Sequence, residues 1–183
     1  MLCDALGLWW RPIEVSTTVR GRVLVGPNGL ARPVPRSARV TVTGKDPYDL
    51  DIRLNWDDDE QRLVPDDVRI TRRPDGLPIR VAELARIRLG DTIAASLATE
   101  VLDIRGWVGI IEDHPRADPA AVDALIYSLA HALGTHNPTQ TVGLARGLQP
   151  GSAIKRVMRA RERGYLGEAQ KGRSGGLAGQ ASA

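Results

Sequence analysis

Basic and polar side chains are concentrated in one segment near the carboxyl end of the chain. Residues 149–173 contain seven basic and two acidic residues, whereas the rest of the chain contains 18 basic and 20 acidic residues. The side chains in this segment suited to phosphate are Arg156, Arg159, Arg161 and Arg163. Those placed to meet base edges are Gln149, Gly151, Ser152 and Lys155. A concentrated positive surface releases counterions from a phosphate backbone, so the segment indicates a nucleic-acid partner.

Residues 139–164 have the start and stop signals of two short helices joined by a turn. Gly147 provides a residue that tolerates a positive φ, as the turn of a helix-turn-helix commonly requires. Gln149 stands at the cap position, and Pro150 stands where the missing N–H of a first helical residue has no cost. Gly164 ends the pattern. The spacing therefore predicts helices over residues 139–146 and 150–163.

The apolar residues of the two predicted helices have spacings that let the helices face each other. Val142, Ala153, Ile154 and Val157 are expected to point inward, beside small residues that permit close approach. Ser152, Lys155, Arg156 and Arg159 are expected to project from other faces of the second helix. Thr139 and Gln140, at the start of the first helix, complete the predicted DNA-contacting set.

Residues 142–157 have the sequence VGLARGLQPGSAIKRV, which resembles the V-A-x-x-x-G-V-S-x-x-T-V-x-R-x-L pattern of bacterial repressor-type helix-turn-helix proteins. Gly143 replaces the usual Ala, which should loosen the first helix, and Gln149 replaces the usual Ser, which weakens the cap. The following run, ending ARERGYLGEAQKGRSGG, resembles uncharacterised helix-turn-helix proteins of actinobacterial genomes, plasmids and phages. The resemblance covers roughly the last third of the chain. It implies DNA binding and says nothing about the target.

Composition is ordinary for a globular protein, with 42% apolar and 26% charged residues in a chain of 183. No apolar run is long enough for a membrane span, and the first residues lack a signal-peptide pattern, so a cytoplasmic location is expected. The single cysteine, Cys3, excludes an internal disulfide and a cysteine-rich zinc framework.

Ahead of the basic segment, the pattern favours strands and then helices. A strand is predicted over residues 15–25, an extended link over 31–37, and alternating half-buried antiparallel strands from residue 38 to about 71. Helices over 81–102, with a break at Gly90 and a cap at Asp91, would cover the sheet. A linker is predicted over 106–118, followed by a helix that Asp118 caps and Gly134 ends.

These elements predict an α+β fold in which a small N-terminal antiparallel sheet with covering helices precedes a C-terminal trihelical helix-turn-helix unit. The predicted parts are an N-terminal arm with one strand (1–36), an α+β module for dimerisation or partner binding (37–112), the helix-turn-helix domain (113–171) and a disordered tail (172–183).

The sequence contains only weak indications of a catalytic site. The cluster Asp57, Asp58, Asp59 and Glu60 has the chemistry to hold Mg²⁺, but acidic residues are frequent in exposed turns, and the turn is favoured. His131 and His136 do not have metal-ligand spacing and are expected to be surface or linker residues. The chain is therefore predicted not to be an enzyme and to need no metal or cofactor.

Sequence-specific binding of double-stranded DNA is the leading hypothesis, with a homodimer over two half-sites and a role in transcriptional regulation. One alternative is an accessory role in mobile-element replication, partition or recombination. Another is a protein-interaction adaptor with a basic helix, and a purely structural basic hairpin also fits the periodicity. The operator, the direction of regulation and any small ligand of the N-terminal module stay open.

Overall fold

The computed structural model of the chain describes residues 12–44, 48–73, 89–102 and 105–167. The predicted tail, Lys171 and Arg173, the first part of the helices predicted from residue 81, and the first 11 residues lie outside these ranges. The architecture is α+β, with a sheet followed by helices, as the sequence predicts.

Four strands form an antiparallel meander in the order β1-β2-β3-β4. They are β1 (Pro12–Val25), β2 (Arg32–Gly44), β3 (Tyr48–Asp57) and β4 (Arg62–Arg72). The predicted link over residues 31–37 is wrong, since β2 begins at Arg32 and pairs with β1 through Pro33 and Pro35. β3 pairs with β2 only from Ser37 onward. The two prolines therefore occupy a stretch with one neighbouring strand, where a missing N–H is tolerated.

One face of the sheet is apolar and buried. The predicted alternation is confirmed, because Val40 lies opposite Ile52 in the register and both side chains are fully buried. Leu50, Leu54 and Trp56 lie on the same buried face of β3. β3, and β2 from Ala38 to Val42, thus contribute every second residue to the core, as the two-residue period of a strand requires.

The acidic cluster forms the turn between β3 and β4, which confirms the turn interpretation. The Asp57 carboxylate accepts hydrogen bonds from the backbone N–H groups of Asp59 and Glu60, both at 2.8 Å. Gln61 closes the turn with a φ of 52°. Asp58 pairs with Arg36 across the sheet. These acidic groups are thus occupied in shaping the hairpin.

Five helices follow in the described ranges: α1 (Leu89–Val101), α2 (Gly106–Asp113), α3 (Pro119–Ala132), α4 (Pro138–Ala145) and α5 (Pro150–Glu162). α1 contacts β1 and β2 and covers the sheet as expected. The predicted linker is wrong over residues 106–113, where α2 forms and buries Ile110. Its apolar residues have helical spacing, which the flanking glycine and proline obscured. None of the helices in the described ranges has the length and apolar character needed to cross a membrane.

α3 is the central element of the fold. Every residue from Ala120 to Ala132 is buried, because this helix contacts the sheet as well as α4 and α5. Gly26, with a φ of 124°, lets Leu125 approach the β1–β2 turn, since a Cβ there would lie 2.5 Å from its Cδ1. One apolar cluster consequently runs from the sheet through α3 to α5.

His131 also lies on this buried helix, so its predicted surface position is wrong. It is 5% exposed, and its Nε2 lies 2.9 Å from the backbone oxygen of Glu60 in the β3–β4 turn. Burial lowers the pKa of this imidazole. A neutral ring that donates from Nε2 to the carbonyl oxygen accounts for this contact.

Candidate nucleic-acid interface

α3, α4 and α5 form the trihelical unit, and their boundaries follow local capping. The Asn137 side chain caps α4 by accepting a hydrogen bond from the Gln140 N–H at 3.1 Å. Gly147 has a φ of 62°, and the Leu148 N–H donates to the Gly143 carbonyl at 2.8 Å, which completes the turn after α4. Pro150 begins α5. The predicted glycine turn and proline start are thereby confirmed.

The contact between α4 and α5 uses small residues. Val142, Ala153 and Val157 are buried as predicted. A Cβ added to Gly143 would lie 3.1 Å from the Ala153 Cβ, so the glycine that departs from the repressor pattern permits the close approach of the two helices. Ile154 was predicted to point inward and is instead 52% exposed, because the face of α5 that meets its neighbours passes through residues 153, 157 and 160.

The start of α5 is open to solvent. Residues 149–152 are all exposed, including the predicted contact residues Gln149, Gly151 and Ser152. Gln149 makes no side-chain cap, in line with the weak cap expected from its replacement of Ser. Gln140 is exposed and Thr139 half-buried at the start of α4. The Ser152 and Ala153 N–H groups donate to the Gln149 carbonyl, so this end of α5 offers a ligand mainly its exposed polar side chains.

The predicted basic residues of α5 and its C-cap fall into two groups. Lys155 and Arg159 are exposed and form no hydrogen bond or ion pair within the described part of the chain. Arg156, Arg161 and Arg163 contact polar groups of the protein itself. The cationic charge free to meet a ligand on α5 therefore comes mainly from Lys155 and Arg159.

Arg156 belongs to a buried ion-pair cluster that we call the Asp123 cluster: Asp123 of α3, Arg146 after α4 and Arg156 of α5. Asp123 is 1% exposed and accepts from Arg146 Nε at 2.7 Å and from Arg156 Nη1 at 2.8 Å. The Arg156 side chain is 34% exposed. The expectation that the Arg156 side chain is exposed is wrong, because the carboxylate of α3 holds its guanidinium and leaves it only partly exposed.

Arg161 and Arg163 are held by other parts of the protein. The Arg161 guanidinium lies 5.3 Å from the centre of the Tyr127 ring and donates to the Gly167 carbonyl at 3.2 Å. Arg163 donates to both carboxylate oxygens of Asp118, at 2.7 and 2.6 Å. Asp118 also caps α3 through the Ala120 N–H, and this hydrogen bond, followed by Arg163, lowers the pKa of that carboxyl. Arg163 stays half-exposed, so its outer side is accessible.

A cleft of about 90 Å³ lies between the start of α3 and the side of α5. Its walls include the carboxylates of Asp118 and Asp123 and the guanidinium groups of Arg156, Arg159 and Arg163. Since Arg156 and Arg163 pair with those carboxylates, Arg159 is the guanidinium in this cleft that has no carboxylate partner among the described residues. Its charge is therefore available to an anion at the rim.

The structure adds residues that the sequence reasoning missed. Ile154 and Met158 are 52% and 54% exposed and lie one turn apart on α5, and Leu144 of α4 is 60% exposed. A helical wheel anchored on Ala153 and Val157 would have placed Ile154 and Met158 outside. Asp123 carries no sequence signal of its role, because its partners lie 23 and 33 residues away.

Comparison of the chain with protein families, with curated proteins and with solved structures finds no match.

Proposed function

We propose that this chain binds double-stranded DNA with sequence preference through the exposed surface of α5, and that it acts as a cytoplasmic transcriptional regulator. The observation that carries the proposal is the coincidence of an open helix start at residues 149–152 with the exposed cations Lys155 and Arg159, which pair with none of the described residues. The N-terminal half of a helix held in this way on two others can enter a major groove, which is wide enough to admit a helix.

Each group on this surface has a distinct expected role. Gln149, Ser152 and Lys155 lie at or near the start of α5, where their donors and acceptors can meet base edges. Arg159 lies farther along the helix beside the cleft and would meet the phosphate backbone. Gln140 and Thr139, at the start of α4, would contact a neighbouring phosphate. The expected interface thus uses fewer basic side chains than the segment 149–173 contains.

A homodimer is part of the proposal. One trihelical unit reads only a few base pairs, so useful affinity usually requires two copies on half-sites about one helical turn apart. The expected DNA contact does not use the sheet or α1, and we assign dimerisation or partner binding to these elements. An accessory role in mobile-element replication, partition or recombination would use the same α5 surface and differ in where the DNA site lies.

A second candidate function is a protein-interaction adaptor. The observation that favours it is the exposure of Ile154 and Met158, two apolar side chains beside cations on α5. An acidic, amphipathic partner would complement such a surface. Binding to this partner would be less sensitive to salt than DNA binding, because apolar burial would supply much of its free energy.

The test is selection of bound sequences from a random duplex library at about 50 and 200 mM salt, the range over which phosphate contacts lose affinity steeply. The variant Lys155→Gln/Arg159→Gln is compared with the parent. The matched control is Arg20→Gln/Arg22→Gln, which removes two exposed cations from β1 and leaves α5 unchanged. We expect an enriched motif that the α5 variant loses and the β1 control retains.

The salt dependence of binding to the enriched duplex gives a second readout. The slope of the logarithm of the binding constant against the logarithm of the salt concentration becomes less negative by about 0.9 for each phosphate contact removed. The α5 variant should therefore show a shallower slope than the β1 control. Equal losses in both variants would assign binding to overall charge. Absence of binding at both salt concentrations would reject the proposal in favour of the adaptor.

A further inference from the structure

α5 presents two apolar side chains to solvent. Ile154 and Met158 are 52% and 54% exposed, although the same helix buries Ala153, Val157 and Ala160 against its neighbours. Ile154 and Met158 are four residues apart and therefore lie on one face of the helix. Lys155 lies three residues before Met158, which makes the two side chains neighbours on the helix surface, so the apolar pair borders the exposed cation.

Apolar side chains in a major groove restrict which base pairs can lie opposite them. A guanine edge presents N7 and O6 as acceptors, and cytosine presents an amino donor, so an apolar contact there would remove water from polar groups without replacing it. Thymine differs because its C5-methyl group is an apolar surface in the major groove. An isoleucine or methionine side chain can pack against that methyl.

We infer that Ile154 and Met158 read thymine methyl groups, and that the target site therefore contains thymine opposite the middle of α5. The inference rests on the proposed function and extends it by naming the base chemistry that the site recognises. Lys155, next to Ile154 in the sequence, then donates to a base edge or neutralises a phosphate beside the methyl contact.

The charges around the apolar pair favour DNA over a protein partner. The exposed cations Lys155 and Arg159 and the half-exposed Arg163 are four residues apart and form a row beside the two apolar residues. Glu162, four residues after Met158, is exposed on the same face. A carboxylate at that end repels phosphate, so the part of α5 before Glu162 is the part that approaches DNA most closely.

The test compares two random duplex libraries, one made with thymine and the other with uracil, which lacks the 5-methyl group. The sequence enriched from the thymine library is then synthesised with uracil at each thymine in turn. We expect affinity to fall about fourfold for each contacted methyl, the equivalent of about 0.8 kcal/mol for one buried carbon. Uracil at the other positions should leave affinity unchanged.

Ile154→Ala and Met158→Ala connect the methyl effect to these residues. Each should bind thymine and uracil duplexes with equal affinity at the position that it contacts, because the apolar partner of the methyl is gone. Alanine is favourable in a helix and both sites are exposed, so the variants should keep the parent melting temperature. Leu144→Ala is the control, since it removes an equally exposed apolar side chain from α4.

The outcomes separate this inference from the proposed function. Specific binding that is the same for thymine and uracil duplexes would overturn the inference and leave the proposed function standing. Failure of the thymine library to yield a motif would overturn the inference, and complete absence of DNA binding would overturn both. Loss of self-association in Ile154→Ala, without a methyl effect, would reassign the apolar pair to a protein interface and overturn the inference.

Discussion

Replacing Asp123 by alanine tests the buried ion-pair cluster that joins the three helices of the C-terminal unit. The Asp123 carboxylate is 2% exposed and bridges Arg146, 16% exposed, and Arg156, 34% exposed. Alanine would leave two guanidinium groups facing each other without the anion that joins them. We expect a less stable protein in which the position of α5 on α3 is less well fixed.

The magnitude follows from burial. Breaking a buried ion pair by removing one partner costs about 3–5 kcal/mol. Arg156 is partly exposed and can turn toward water, which places the expected loss at the lower end, about 3 kcal/mol. For a protein of this size, each kcal/mol corresponds to about 2–4 °C, so the melting temperature should fall by about 6–12 °C.

Thermal and urea unfolding monitored by circular dichroism measure this loss. The control is Asp58→Ala, which breaks an ion pair between side chains that are 68% and 59% exposed and should change the melting temperature little. A double-mutant cycle with Asp123→Ala and Arg156→Met isolates the contact between these two residues. A loss of less than about 1 kcal/mol in Asp123→Ala would refute the view that this cluster stabilises the unit.

Two further predictions concern other contacts of the core. Burial lowers the pKa of His131, so the unfolded chain binds the proton more readily; the free energy of unfolding should therefore decrease as pH falls below the ordinary value of 6.5. Urea titrations at acidic and neutral pH should show this decrease in the parent, and an unchanged dependence in His131→Gln would contradict it. Gly143→Ala should destabilise by about 1 kcal/mol, since overpacking against Ala153 exceeds the gain in helix propensity. Ala153→Gly should cost less in the Gly143→Ala background than in the parent, and an equal cost in both backgrounds would show that this contact is not the cause.

Local patterns predicted much of the fold because their causes are local. The alternation around Val40 and Ile52 follows from the two-residue period of a strand, and the turn at Gly147 follows from the backbone freedom of glycine. α2 was missed because Gly106 and the residues after 113 read as a linker, although the apolar residues between them have helical spacing. The link at Pro33 was wrong because an edge stretch of sheet accepts proline.

The residues of the candidate site were predictable only in part, because ion pairs between helices leave no periodic signal. Counting charges along residues 149–173 treats every arginine as available, yet Arg156 and Arg163 pair with carboxylates of α3 and its cap. Burial also has to be known before Ile154 can be assigned to the outer face.

The paired arginines reduce the charge available to a ligand, but they also fix the helix that carries the remaining cations. Arg156 anchors α5 to Asp123 in the middle of the trihelical unit, and Arg163 anchors the end of α5 to Asp118. Lys155 directly precedes Arg156 on α5, and Arg159 lies four residues before Arg163. For the proposed DNA binding, a surface with few such cations and a fixed orientation favours discrimination among sequences over general attraction to phosphate, because orientation determines which base edges the side chains reach.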